Sequence, residues 1–289
     1  MTLCVAWVRK RKREESLYMI ADSRLTGGDT FDGCPKLYPL SREDCAIACA
    51  GATWFSAPVA EHIQRAIDLN IKLRTRASDF LDIVHSIEDI TNKCLSQVKD
   101  TTQSTPDFQM ILAGYSVRLS RFCVRIIEYN KKTKKMYAHK VPTIKKNVIA
   151  VIGDHDKNIN YVTEYRVKLH KALGDETTID MQPLDILMEF IEDSSKRSVG
   201  GNPQMLKLTK FLRVLPYGIY RTKTNGDKDL SFYGRSLMNY ETFPYPIYNM
   251  DTHQIGYMKE ISDEFRRDSE DIRPLDAFVK WETEHDNNE

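Results

Sequence analysis

The chain has 289 residues, 41% of them hydrophobic and 29% charged, with a formal net charge of +1. That near balance argues against a dedicated nucleic-acid or membrane-surface binder, which carries a basic excess. The length suits one large domain or two small ones, and no run of about 18 apolar residues marks a transmembrane helix.

The first stretch, MTLCVAWVRKRKR, has too short an apolar part for a signal peptide, and its charges follow that part instead of preceding it. Cytosol is the expected compartment. The six cysteines, at 4, 34, 45, 49, 94 and 123, are scattered through mostly apolar runs, so buried free thiols are expected in preference to disulfides. Cys45 and Cys49 fall on one predicted strand, about 13 Å apart, too far to share a metal.

MTLCVAWV is apolar on both faces and suits a strand in a covered sheet. RKRKREES reads as a charged turn and LYMIADS as the returning strand, so residues 2 to 23 form a predicted hairpin. That second strand ends in a carboxylate, Asp22, where strand interiors rarely accept one. A loop containing Gly27 and Gly28 follows, then PKLYPL and the strand DCAIACAGA.

Residues 57 to 73 place Val59, Ile63, Ala66, Ile67 and Ile71 on one helical face, and residues 80 to 98 do the same for a second helix. TTQSTPD is a loop. FQMILAGYS, FCVRIIEYN, KKMYAHKV and NVIAVIGD are four further strands, with NKKTKK as a hairpin turn. Residues 156 to 173 and 183 to 195 are amphipathic helices, the second opening on Pro183. GGNPQMLKLTKF and LPYGIYRTK return to strand, and the pattern weakens from about Lys223.

This order lacks alternating βαβ units, which disfavours a doubly wound sheet. The expected class is α+β, a four-layer αββα sandwich of two mainly antiparallel sheets. Residues 1–222 form the main domain, and residues 223–289 are an appended, partly irregular segment with apolar anchors at Phe278 and Trp281.

Thr2 follows the initiator methionine and leads straight into a buried strand. Aminopeptidases that remove initiator methionine generally require a small second residue, which threonine is. Excision would set a hydroxyl beside its own free α-amine, whose ordinary pKa is about 7.7 to 8.0, so the amine can act as base at neutral pH.

With that residue in place, the sequence resembles the proteasome β-type N-terminal nucleophile (Ntn) hydrolases, especially the bacterial Anbu and HslV-like group. The resemblance runs through MTLCVAW, ADSRLTGG, CPKLYPL, AIACAGATWFSA, VIAVIGD and SVGGNPQMLKL, covering roughly residues 2 to 222. It implies Thr2 as nucleophile, Asp22 and Lys36 as its tuning pair, and the Gly51 N–H as an oxyanion donor. A cation at Lys36 would ease proton removal from Thr2, and Gly51 can approach an oxyanion closely. Ser23 and Arg24 are expected to shape the pocket, with Gly153, Asp154 and Ser198 in supporting positions.

Two departures stand out. Asp154 follows Gly153 where the family usually carries serine, and Val199 occupies another expected serine position, one past Ser198. The resemblance implies threonine-type amide or peptide hydrolysis, with a peptide or small amide as substrate and no metal or organic cofactor. It also implies a homo-oligomer, with an ATP-dependent unfoldase or another partner protein as a further candidate partner. The alternative is a catalytically inactive scaffold or defence-associated partner built on the same fold.

The remaining polar motifs have plainer readings. Asp154-His155-Asp156 fits helix N-capping better than metal binding, because adjacent residues do not normally face one ion. The basic runs at 9–13 and 131–135 fit solvated hairpin tips better than polyanion sites. SVGG lacks the Lys-Ser/Thr of a phosphate loop.

Overall fold

The computed structural model describes residues 2–11, 14–75, 77–99, 107–141, 143–144, 147–153, 160–238 and 241–258. Met1, Asp154-His155-Asp156, the TTQST loop, Phe278 and Trp281 lie outside the described residues.

The chain opens with a hairpin, β1 (Leu3–Arg11) and β2 (Glu14–Ala21). Alternation along β1 is the key to the architecture. Leu3, Val5 and Trp7 enter one apolar cluster, while Cys4, Ala6 and Val8 enter another on the opposite face. Both faces are therefore buried, as the unbroken apolar run predicts.

The basic residues after Val8 depart from the expected charged turn. Arg9, Lys10 and Arg11 are still in β1, in register with Ser16, Glu15 and Glu14. Lys10 pairs with Glu15 at 3.2 Å across the strands, and the opposite charges allow the ladder to continue into solvent.

After the loop of residues 22–36 come β3 (Leu37–Pro39) and β4 (Cys45–Gly51). Three helices follow: α1 (Thr53–Leu69), α2 (Ile71–Arg74) and α3 (Phe80–Leu95). The first starts four residues before the hydrophobic spacing suggests, because its opening turn is made by backbone bonds from Phe55 and Ser56 to Ala52 O. Asn70 divides it from α2, its side chain accepting from the N–H groups of Lys72 and Leu73. Asp79 and Asp82 form a reciprocal capping box at the start of α3.

Five strands come next: β5 (Phe108–Ser116), β6 (Arg121–Asn130), β7 (Lys135–Lys140), β8 (Thr143–Ile144) and β9 (Asn147–Gly153). Helices α4 (Tyr161–Leu173) and α5 (Gln182–Glu192) follow, the latter with Pro183 in its first turn. Then come β10 (Gln204–Thr209) and β11 (Arg213–Thr222). The short strands β12 (Lys228–Phe232), β13 (Arg235–Ser236), β14 (Ile247–Asn249) and β15 (Gln254–Gly256) complete the described elements.

These strands form two sheets. One has the order β13-β12-β11-β10-β2-β1-β9-β8, with β14 and β15 joined through β11; the other runs β3-β4-β5-β6-β7. Pairing is antiparallel except for β11 with β14. The protein is thus mixed α+β with two mainly antiparallel sheets. The strands between residues 228 and 256 extend the first sheet past Thr222.

Three apolar clusters account for the stacking. Residues of β1, β2, β9, β10 and β11 pack on α4 and α5 through Trp7, Tyr18, Tyr165, Leu187 and Phe190. Residues of β4, β5 and β6 pack on α1 and α3 through Ile47, Ile63, Phe80 and Ile83. The third cluster lies between the sheets and is rich in small residues, including Ala6, Ala21, Ala46, Ala48, Ala50, Ala113 and Ala150. Short side chains there let the sheets approach closely, while each large buried residue on the helix side contributes about 1.5–3 kcal/mol. Trp7 is anchored twice, stacked on Tyr18 at 5.4 Å and donating from Nε1 to Asp180 O at 2.8 Å. Among the described residues, no helix is long and apolar enough to cross a membrane.

Candidate active site

The residues singled out at the start of the chain meet where β1 begins and β2 ends. Antiparallel pairing sets Cys4 opposite Ala21, so Leu3 and Asp22 face each other across the strand end. Asp22 is fully buried, and every direction around its carboxylate is taken. Oδ1 accepts from Leu3 N at 2.9 Å and from Lys36 Nζ at 2.9 Å. Oδ2 accepts from Arg24 N at 3.1 Å and Gly200 N at 3.2 Å. An isolated carboxylate at this depth would cost several kcal/mol, and a cation plus three N–H donors offset that cost.

Lys36 reaches Asp22 from the other sheet. Its side chain leaves the residue just before β3, is 3% exposed, and donates also to Arg24 O at 2.6 Å. The ion pair therefore spans the two sheets. Because the Lys36 ammonium and the Leu3 N–H share one oxygen, the ammonium lies within two hydrogen-bond lengths of the Thr2–Leu3 peptide.

Thr2 itself is buried. It is seated against Gly153, the residue in register with Leu3. A Cβ on Gly153 would fall 2.2 Å from Thr2 O, and Gly153 has φ +152°. Only glycine lets the chain start pass this close. Gly153 N donates to Gln109 Oε1 at 3.3 Å.

Gly51 sits at the end of β4 with φ +101°, where a Cβ would meet Asp107 O at 2.0 Å. Alternation fixes the direction of its N–H. Tyr115 N donates to Asp44 O and Ala52 N to Asp107 O, so even-numbered residues of this strand face β5. Cys49 N donates to Lys36 O at 3.0 Å on the β3 side. Gly51 N–H comes next on that side, beyond the first residue of β3. It is thus directed toward the end of the sheet from which Lys36 enters.

Ser23 and Arg24 hold the loop of residues 22–36. Ser23 Oγ donates to Asp32 O at 2.8 Å and accepts from Asn202 N at 2.8 Å. Arg24 makes a two-pronged bond with Asp32, Nε to Oδ1 at 2.6 Å and Nη2 to Oδ2 at 2.8 Å. Bonding to Arg24 pulls the Asp32 carboxyl below its usual range. Gly27 and Gly28 occupy the exposed tip of this loop.

Ser198 is buried, and Val199 packs into the cluster beneath α4 and α5. The segment contributes to Asp22 through the Gly200 backbone, not through a hydroxyl at Val199. Asp154 lies outside the described residues.

Sequence reasoning missed Gln204, which is 1% exposed. Its Nε2 donates to Asp22 O at 3.0 Å and Cys34 O at 2.8 Å, and its Oε1 accepts from Lys36 N at 3.0 Å. It ties both ends of the 22–36 loop to β10. The only trace in the sequence is one amide side chain opening the apolar run QMLKL.

The surroundings are thiol-rich. Burial pushes the Cys4 thiol up, against the opposing pull of Lys36, and burial pushes Cys49 up to about 12. All six cysteines are free. Among the described residues, no group of three or more His, Cys, Asp or Glu side chains is placed to hold a metal ion.

No protein-family model matches the sequence, and comparison with curated proteins gives no match.

Proposed function

We propose that the protein is an N-terminal-nucleophile amide hydrolase of proteasome β type, of the Anbu and HslV-like kind, with Thr2 as nucleophile after excision of Met1. The observation that carries the reading is the shared Asp22 oxygen, which binds the buried Lys36 ammonium and the peptide N–H of Leu3 together. A fixed cation beside the chain start favours loss of a proton from the Thr2 hydroxyl and amine.

In the proposed cycle, the free α-amine of Thr2 accepts the Oγ proton as Oγ attacks the substrate carbonyl carbon. The carbonyl electron pair moves onto oxygen, and the oxyanion accepts from Gly51 N–H. Collapse breaks the C–N bond, and the leaving amine takes the proton from the α-ammonium. Water, deprotonated by the same amine, then cleaves the ester, releasing a carboxylic acid and restoring Thr2. The cycle needs no cofactor. The same reading makes the chain a cytoplasmic homo-oligomeric subunit acting on peptides or small amides, with an unfoldase or other protein as partner.

Intact mass measurement before and after treatment with a threonine-directed epoxyketone tests this reading. A chain beginning at Thr2 and carrying one adduct, lost in Thr2→Ala, is expected. A chain that retains Met1 and takes no adduct overturns it. The burial of Val199 favours a second reading, an inactive scaffold, since no hydroxyl at that position is available to orient Thr2.

A further inference from the structure

The end of the first sheet farthest from Thr2 is built from two neighbouring hairpin tips, β1–β2 and β10–β11. Thr209 is in register with Ser16, and Lys207 reaches across to Glu14 at 2.7 Å, so the tips lie side by side. Part of their charge is satisfied locally: Arg9 pairs with Asp180, Lys10 with Glu15 and Lys207 with Glu14. Arg11 is in register with Glu14, but that carboxylate is bonded to Lys207 and Ser16.

Arg11, Lys210 and Arg213 are exposed and have no carboxylate partner among the described residues. Phe211 stands between the last two, 75% exposed, with the Lys210 ammonium 5.5 Å from the centre of its ring. Lys12 and Arg13, which join β1 to β2, add two more basic residues by sequence. This face offers unpaired cations around an exposed aromatic ring.

The complementary charge is in the same chain. Residues 259–289 hold eleven acidic and five basic residues, net −6, which leaves +7 on the 258 residues before them against an overall +1. Phe265, Phe278 and Trp281 are interspersed among those carboxylates.

The path of the chain leads from one to the other. β14 runs parallel to β11, with Ile247 beside Gly218, and β15 runs antiparallel to β14, with Gly256 beside Ile247. The chain therefore leaves β15 along β11 in the direction of Arg213. Tyr257 lies close enough to Tyr217 to add, after burial and Tyr18, to the rise in its pKa. Five residues of strand separate the level of Gly218 from Arg213, about 17 Å, a span that the segment after Met258 exceeds several-fold when extended. The other basic tip, at residues 131–135, is on the second sheet at its Gly51 end, behind the direction in which the chain leaves.

We infer that the paired hairpin tips are a docking surface for the acidic segment of the same chain, residues 259–289. Exposed ion pairs contribute little one at a time. The affinity comes from several of them together, from apolar cover over Phe211, and from the tether, which holds the segment at a high effective concentration. The inference is independent of Thr2 chemistry.

Carbodiimide crosslinking of the full-length protein, which joins lysine amines to carboxylates in direct contact, tests it by peptide mapping. Unlabelled and 15N-labelled protein are mixed in equal amounts, so that links within one chain are told from links between copies. Isotopically pure links from Lys10 and Lys210 to carboxylates of residues 259–289 are expected. Arg11→Glu/Arg213→Glu, which changes only exposed positions and keeps both reporter lysines, is expected to lower their yield about fivefold or more. Should the double variant not fold by circular dichroism, Arg213→Glu alone reads the same loss. Absence of these links from the parent, or links predominantly to the lysines of residues 131–135, overturns the inference. So do mixed-isotope links, which assign a second copy as the occupant, and an unchanged yield in the folded variant.

Discussion

Replacing either partner of the Asp22–Lys36 pair should destabilise the protein, and by unequal amounts. Removing one member of a buried ion pair costs about 3–5 kcal/mol, because the other charge stays buried. Lys36→Met leaves the Asp22 carboxylate still accepting from Leu3, Arg24 and Gly200, so its cost should lie near 3 kcal/mol. Asp22→Ala leaves the ammonium, among the described residues, with Arg24 O alone and also deprives three N–H groups of their acceptor, at about 1–3 kcal/mol each where water cannot reach. Its cost should reach 5 kcal/mol or more by the same reckoning. The double variant should cost about 2–3 kcal/mol less than the singles added together, since neither charge is then stranded. Urea unfolding monitored by circular dichroism supplies the four stabilities. The reasoning fails if Lys36→Met costs more than Asp22→Ala, or if the single effects add in the double variant.

Gly153→Ala should lower stability by about 1–3 kcal/mol from backbone strain, and should slow electrophile labelling of Thr2 because the new Cβ meets Thr2 O; an unchanged labelling rate would count against the packing argument. Asp79→Ala should cost about 1–2 kcal/mol by removing the cap of α3. Burial acts to raise the Asp79 pKa, but bonds from Arg118 N, Leu81 N and Ser116 hold it below the usual carboxylate range. Its contribution is therefore present above about pH 4 and fades as pH falls through the folded-state value, so parent and variant should converge in acid unfolding curves. Maleimide labelling of the native protein followed by peptide mapping should modify Cys34 and Cys94 first, with Cys4, Cys45 and Cys49 reacting only on unfolding, since those three are buried with raised pKa values; native labelling of Cys49 as fast as Cys34 would contradict the burial.

Elements with a strong local pattern could be read directly. FQMILAGYS is a strand over Phe108–Ser116 as expected, because an apolar run between turn residues has few alternatives. The tip of the first hairpin was less legible. Arg9–Arg11 look like a turn in isolation and become strand only when Glu14 and Glu15 face them. The late strands escaped because each has two to five residues, and their apolar members, such as Leu230 and Ile247, join Tyr220 and the loop residue Phe243 in a cluster without periodicity. Asp22 was visible as a carboxylate at a strand end, and Lys36 was singled out only through the resemblance carried by CPKLYPL. Gln204 was not, since its bond to Lys36 crosses 168 residues of sequence and a lone amide at a strand start carries no local signal.

The way Asp22 is held makes its geometry independent of the side chain at position 199. Its three non-ionic partners are backbone N–H groups from Leu3, Arg24 and Gly200, and backbone donors survive any change of side chain other than proline. Position 199 can therefore carry valine and serve the apolar cluster beneath α4 and α5 without disturbing the bond that the next residue, Gly200, gives the Asp22 carboxylate. Under the proposed function, a serine there would add a hydroxyl for orienting Thr2, not support for the ion pair. The proposal thus separates the Asp22–Lys36 pair from the orientation of Thr2. Introducing a hydroxyl by Val199→Ser is expected to leave the anchoring of Asp22, and hence the stability of the protein, unchanged within about 1 kcal/mol apart from the lost apolar packing.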